Sequence, residues 1–167
     1  MKNIRISRGV QFAAFFLGTT LLAGCAEEGI SAGAIAPDFE VDSLAINGKP
    51  KTLSSLKGKV VIVDFWATWC GPCRQSFPHM QEMYEKYKDK GFEIVAISDE
   101  DEGKINEFIR NNNYRFGFYR DSFRTAYSAY KVSALPTTFV VNRDGNIVGS
   151  VMGFSPNELQ KMVESAL

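Results

Sequence analysis

The sequence predicts an α/β domain in which a mixed central sheet is flanked by helices on both faces. Two continuous apolar, largely β-branched runs, Val-Val-Ile-Val-Asp-Phe at 60–65 and Phe-Glu-Ile-Val-Ala-Ile at 92–97, read as strands covered on both faces. Between them Met80, Met83, Tyr84 and Tyr87 recur at helical spacing, which makes a strand–helix–strand unit with a crossover. Further on, residues 137–141 and 147–152 flank Asn142-Arg143-Asp144-Gly145-Asn146, a hairpin signal that adds antiparallel strands and makes the sheet mixed.

The elements follow in order. The globular pattern begins at Ala36-Pro37-Asp38-Phe39. Residues 39–44 and the Asn47-Gly48 turn predict a short N-terminal β-hairpin. Leu53-Ser54-Ser55-Leu56 predicts one helical turn that stops at Gly58. After the 60–65 strand a helix is expected to run to about Lys90, kinked by the internal Pro78 and ended by Gly91. The second buried strand is followed by a helix at 104–110 and a short strand near 116–119, a central helix–strand insertion. A helix near 123–130 precedes the hairpin. Ser155-Pro156-Asn157-Glu158 opens the last helix, with Ser155 as N-cap, Pro156 in the first turn and Glu158 completing a capping box.

A chain of 167 residues, 45% hydrophobic and 23% charged, can bury a core and is neither disordered nor fibrous in composition. Lys+Arg and Asp+Glu are balanced at 19 each, so nothing points to nucleic acid as a partner. The balance hides an asymmetry. Lys2, Arg5 and Arg8 precede an apolar run at 9–21, with no acidic residue before Glu27. That is the pattern of a secretory signal, too short for a comfortable membrane span. It ends in Leu22-Ala23-Gly24-Cys25, which resembles the lipobox of bacterial lipoproteins and implies lipidation of Cys25. The expected organisation is therefore a signal peptide at 1–24, the lipidated cysteine and a flexible tether at 25–35, and the α/β domain at 36–167. Removal of residues 1–24 takes away three basic residues and no acidic one, leaving 16 basic against 19 acidic.

Three cysteines remain to be explained, and lipidation accounts for one. Cys70 and Cys73 stand as Cys-x-x-Cys, and export places them where a disulfide can persist. Thiol–disulfide exchange needs one thiolate to attack and a second thiol to release the mixed disulfide. At a helix N-terminus, one turn brings the two sulfurs together, and the unpaired N–H groups favour the thiolate at the first position. Cys70 is thus the expected nucleophile and Cys73 the resolving thiol. A zinc site would need about four ligands, and His79 is the sole histidine. Haem attachment needs a histidine after the second cysteine, where Arg74 stands. A structural bridge at this spacing closes too small a loop to stabilise much. The exchange chemistry needs no cofactor and no metal.

Residues 63–74, Val-Asp-Phe-Trp-Ala-Thr-Trp-Cys-Gly-Pro-Cys-Arg, resemble the active-site segment of thioredoxins and of TlpA/ResA-like, or redoxin-type, thiol–disulfide oxidoreductases. The resemblance runs from about Ala36 to the C-terminus and implies a thioredoxin-like fold. Ala-Pro-Asp-Phe, Leu-x-x-Leu-Lys-Gly-Lys and the insertion between Asp99 and Asp121 favour the TlpA/ResA-like branch. The family's cis-proline loop is matched by Ala134-Leu135-Pro136-Thr137-Thr138-Phe139. It implies a cis bond before Pro136 and Leu135 backbone groups free to pair with an extended substrate. Asp64, a carboxylate in an apolar strand, is costly without a role or a partner. The resemblance implies that it lies behind the cysteines and assists deprotonation of Cys73. Asparagine is common there in the TlpA/ResA-like branch, so Asp64 leans towards thioredoxin. The resemblance also implies that Gly71-Pro72 tunes the potential, that Trp69 shapes the substrate surface, and that Trp66 packs in the core. Ser76 departs from the glutamate often found at its position, and His79 reads as a surface residue.

The expected function is that of a membrane-tethered reductase of client protein disulfides in the bacterial envelope, facing the periplasm or extracytoplasmic space. The resemblance implies apocytochrome c as one client class and a membrane electron carrier as reductant; a monomer is expected. Two rivals come from the same fold. Peroxiredoxins share the Ala-Pro-Asp-Phe opening, but their Pro-x-x-x-Thr-x-x-Cys pattern is absent before Cys70. A non-catalytic binding lipoprotein of this fold tends to lose a cysteine, and both remain here.

Overall fold

The computed structural model describes residues 30–44 and 51–167. The expected signal peptide, Cys25 and the Asn47-Gly48 turn lie outside the described residues. Strands β1 (Glu40–Ser43), β2 (Lys51–Thr52), β3 (Val60–Phe65), β4 (Phe92–Ser98), β5 (Gly117–Arg120), β6 (Thr137–Val141) and β7 (Ile147–Met152) form one sheet in the order β2-β1-β5-β4-β3-β6-β7. β3 is an interior strand, parallel to β4 and antiparallel to β6. The two strand–helix–strand crossovers make β3, β4 and β5 parallel, while β1–β2 and β6–β7 pair antiparallel. The mixed sheet and the N-terminal hairpin strands are as expected.

Every residue of β3 is buried, and its period-2 alternation divides the core. Val60 and Ile62 join Phe77 and Met80 of helix α1 (Gly71–Tyr87), Ile105 of α2 (Glu102–Arg110), and Leu159 and Val163 of α4 (Pro156–Ala166). Val61, Val63 and Phe65 point to the other face, against Ala126 and Tyr127 of α3 (Thr125–Ala129). Asp64 therefore shares the α1 face with Ile62. Trp66 is fully buried there, its ring 5.0 Å from Phe77, 4.9 Å from Phe108 and 5.3 Å from Phe118. It is a core residue.

Four local details differ from the sequence expectation. α1 gives way at Lys88–Lys90 to a 3-10 turn before Gly91, whose φ of 77° is left-handed. α3 starts at Thr125 rather than near 123, because Arg124 is left-handed (φ 55°) and the Asp121 carboxylate accepts from the backbone N–H of Thr125 and Tyr127. Ser155 is the N-cap residue of α4 with Pro156 in the first turn, as expected, but its side chain makes no capping bond to the backbone; its hydroxyl donates instead to the Glu158 carboxylate at 3.2 Å. Finally, residues 33–35 of the expected tether are docked. Gly33 N–H donates to Ile147 O, Ile147 N–H to Ala34 O, and Ala36 N–H to Gly145 O, all within 2.9 Å. Those backbone pairs add a short strand-like edge beside the β6–β7 hairpin, at the pole opposite the C-terminal end of β3.

Candidate active site

β3 delivers the chain into Trp66-Ala67-Thr68-Trp69 and then into α1. Cys70 is the N-cap of α1 in extended conformation, and its sulfur accepts from the Cys73 N–H at 3.2 Å. Gly71 and Pro72 fill the first turn, where a missing proline N–H costs nothing. One turn of helix thus sets Cys70 and Cys73 at a Cα–Cα distance of 5.3 Å, and they form a disulfide. The sulfur-bearing residues are nearly covered: Cys73 is wholly buried and Cys70 is 4% exposed, while Trp69 beside them is 72% exposed.

The loop before the cysteines is held from β4's end. The Glu100 carboxylate accepts from the Thr68 N–H at 2.5 Å and from the Thr68 hydroxyl at 2.9 Å. Arg120 Nε donates to the Glu100 carbonyl at 3.0 Å. This clamp is not legible from the sequence, since Glu100 lies 32 residues from Thr68. Glu100→Ala is expected to lower the unfolding free energy by about 2 kcal/mol, the worth of losing hydrogen bonds to a charged group, as read by urea unfolding at constant pH.

On the other side of the disulfide, β6 pairs antiparallel with β3 and sets Thr137 opposite Phe65. Pro136 therefore lies at the same end of the sheet as Cys70. The Leu135–Pro136 bond is cis. The Pro136 carbonyl accepts from Gly153 N–H at 2.9 Å, and Thr137 Oγ1 donates to Ala134 O at 2.8 Å, which fixes the loop. Among the described residues no hydrogen bond engages the Leu135 backbone. Leu135, Ala134 and Trp69 line a groove of about 250 Å³ with Arg124 and Tyr127.

Asp64 is fully buried on an interior strand, not an edge or solvated carboxylate. Thr138 Oγ1, directly opposite in β6, donates to Asp64 Oδ1 at 2.6 Å, whereas Oδ2 has no hydrogen-bond partner among the described residues. Burial pushes the Asp64 carboxyl up to about 7, against the smaller downward pull of the Thr138 hydrogen bond. A carboxyl held there can exchange a proton near neutral pH. Ser76 is also buried, its hydroxyl donating to the Cys73 carbonyl at 2.7 Å. Thr138 as the partner of Asp64 is not evident in the sequence. The available signal is the period-2 register that puts it on the same face as Val140 and hence opposite Asp64.

The profile of the AhpC/TSA family matches residues 32–150. The chain belongs to the AhpC/TSA family. It is 41% identical over 128 residues to the thiol-disulfide oxidoreductase ResA of Bacillus subtilis (strain 168), covering 76% of this chain and 70% of that relative. A ResA of Bacillus cereus is 38% identical over 145 residues, 85% of this chain and 83% of the relative. A candidate thiol:disulfide interchange protein DsbE from Chlorobium tepidum superposes with a TM-score of 0.77 at 35% identity, covering 83% of this chain and 99% of that one. This AhpC/TSA member is thus a thioredoxin-fold thiol–disulfide oxidoreductase. Among its described residues no helix is long and apolar enough to cross a membrane.

Proposed function

We propose that the chain reduces disulfides of extracytoplasmic client proteins, with apocytochrome c cysteines as one client class. The observation that carries this is the Cys70–Cys73 disulfide across the first turn of α1, at the sheet end that also bears the cis Pro136. The reduced Cys70 thiolate attacks a client sulfur, forming a mixed disulfide and releasing the first client thiolate. Cys73 then gives its proton to Asp64 and attacks the Cys70 sulfur. The second client thiolate leaves, and two electrons have passed to the client. The enzyme ends as the Cys70–Cys73 disulfide. Leu135 backbone groups pair with the extended client, while Trp69, Gly71, Pro72 and Pro136 form the surface it meets.

The basic and apolar N-terminal segment supports export, and lipidation of Cys25 supplies a tether to the membrane. Residues 1–24 are the signal peptide, and the domain works as a monomer. A membrane electron carrier re-reduces the pair. The Val63 and Ala67 positions, where a peroxidatic cysteine would need proline and threonine, disfavour peroxide chemistry. Equilibration of the purified domain with glutathione tests the direction of electron flow. A potential near thioredoxin's, about −270 mV, is expected; a value near about −120 mV would mark an oxidant and overturn the reductase reading.

A further inference from the structure

Asp64 has no direct path to solvent: its own side chain is fully buried, and among the described residues its one hydrogen-bond partner is Thr138. Thr138, however, also lines a small cavity with Ser76, His79, Phe154 and Ser155. The space, about 10 Å³, is about the least that admits one water molecule, and such sites hold water when polar groups converge on them. His79 sits on α1 two turns beyond Cys73, its side chain 22% exposed. Its Nε2 is buried without a hydrogen-bond partner among the described residues, while Nδ1 lies 4.0 Å from the Glu82 carboxylate. The histidine therefore bridges interior and surface.

We propose that Thr138, the one-water cavity and His79 form the route by which a proton held on Asp64 leaves the interior. The proposal rests on the reading of Asp64 as acceptor of the Cys73 proton. The transfer balances without any redox change. With Asp64 ionised, the Thr138 hydroxyl donates to Asp64 Oδ1. With Asp64 protonated that bond reverses: the carboxyl donates its proton to Thr138 Oγ1, and the hydroxyl's own hydrogen turns to the cavity water and passes to it. That water protonates His79 Nε2, and a proton leaves from Nδ1 to solvent beside Glu82. Among the described residues, the groups facing the route are these. Tyr127, across the sheet, feels the Asp64 charge but donates its hydroxyl to the Trp66 carbonyl, and burial keeps it protonated. From the β7–α4 side the lining is uncharged, and Glu158 accepts from Ser155.

The test is the rate at which Asp64 ionises after a pH jump, followed by the protonated-carboxyl infrared band that Asp64→Asn lacks. His79→Ala and Thr138→Val are expected to slow it about 100-fold, the low end of what a positioned proton-transfer group supplies. Added imidazole restores the rate in His79→Ala. Thr138→Ser, which keeps the hydroxyl, retains it. Unchanged rates in both His79→Ala and Thr138→Val overturn the route. If those variants slow ionisation while Asp64→Asn leaves mixed-disulfide resolution unchanged, the route stands and the role of Asp64 falls.

Discussion

Cys70→Ser is expected to reduce insulin turnover with dithiothreitol to the uncatalysed rate, a loss of at least about 100-fold, because no positioned thiolate remains. The expectation follows from placement. Cys70 caps α1, where unpaired N–H groups and the positive helix end favour a thiolate, whereas Cys73 is wholly buried one turn inside. The exposed Trp69 and the groove beside it leave Cys70 as the sulfur a client approaches. Equal turnover by wild type and Cys70→Ser would remove the enzymatic reading altogether.

The second large effect is on stability, with a definite sign. Asp64 titrates near 7 in the fold, above the ordinary 3.8 of an exposed aspartate, because burial disfavours its charge. As pH rises, the unfolded chain ionises first, so the folded state loses stability between about pH 4 and pH 7 and the penalty is complete above that. A difference of about three pH units sets an upper bound of ~4 kcal/mol. Asp64→Asn keeps an acceptor for Thr138 but cannot ionise. It should therefore be more stable than wild type by about 2–4 kcal/mol at pH 8 and nearly equal to it at pH 4, as read by urea unfolding. The same variant should slow resolution of the mixed disulfide and abolish its pH dependence near neutrality. An unchanged profile would exclude Asp64 from the mechanism. A buried carboxylate that costs stability at neutral pH fits a site where stability yields to function.

Much of the fold was legible because its signals are local. The apolar run at 60–65, the helix spacing behind Cys73 and the Asn142–Asn146 turn each act within a few residues, and each element formed there, the helix ending at Tyr87 rather than near Lys90. The redox pair was legible for the same reason. What escaped depends on contacts between distant segments. The Glu100 clamp on Thr68 and the Thr138 bond to Asp64 span 32 and 74 residues, and only the sheet register brings them together. Residues 33–35 looked like tether from composition, yet their backbone groups pair with the hairpin. Ser155 carried the right residue type for a cap, but its hydroxyl prefers the Glu158 carboxylate. His79, a surface residue by sequence, became legible as more only through the cavity it shares with Thr138.

The most direct test of the central claim is to map which sulfur carries a trapped client. Cys73→Ser, reduced and mixed with a disulfide-bonded peptide, should accumulate a mixed disulfide that mass spectrometry places on Cys70. Cys70→Ser treated in the same way should accumulate none, because the buried Cys73 cannot reach the peptide. An adduct on Cys73, or none on Cys70, would contradict the assignment of Cys70 as nucleophile.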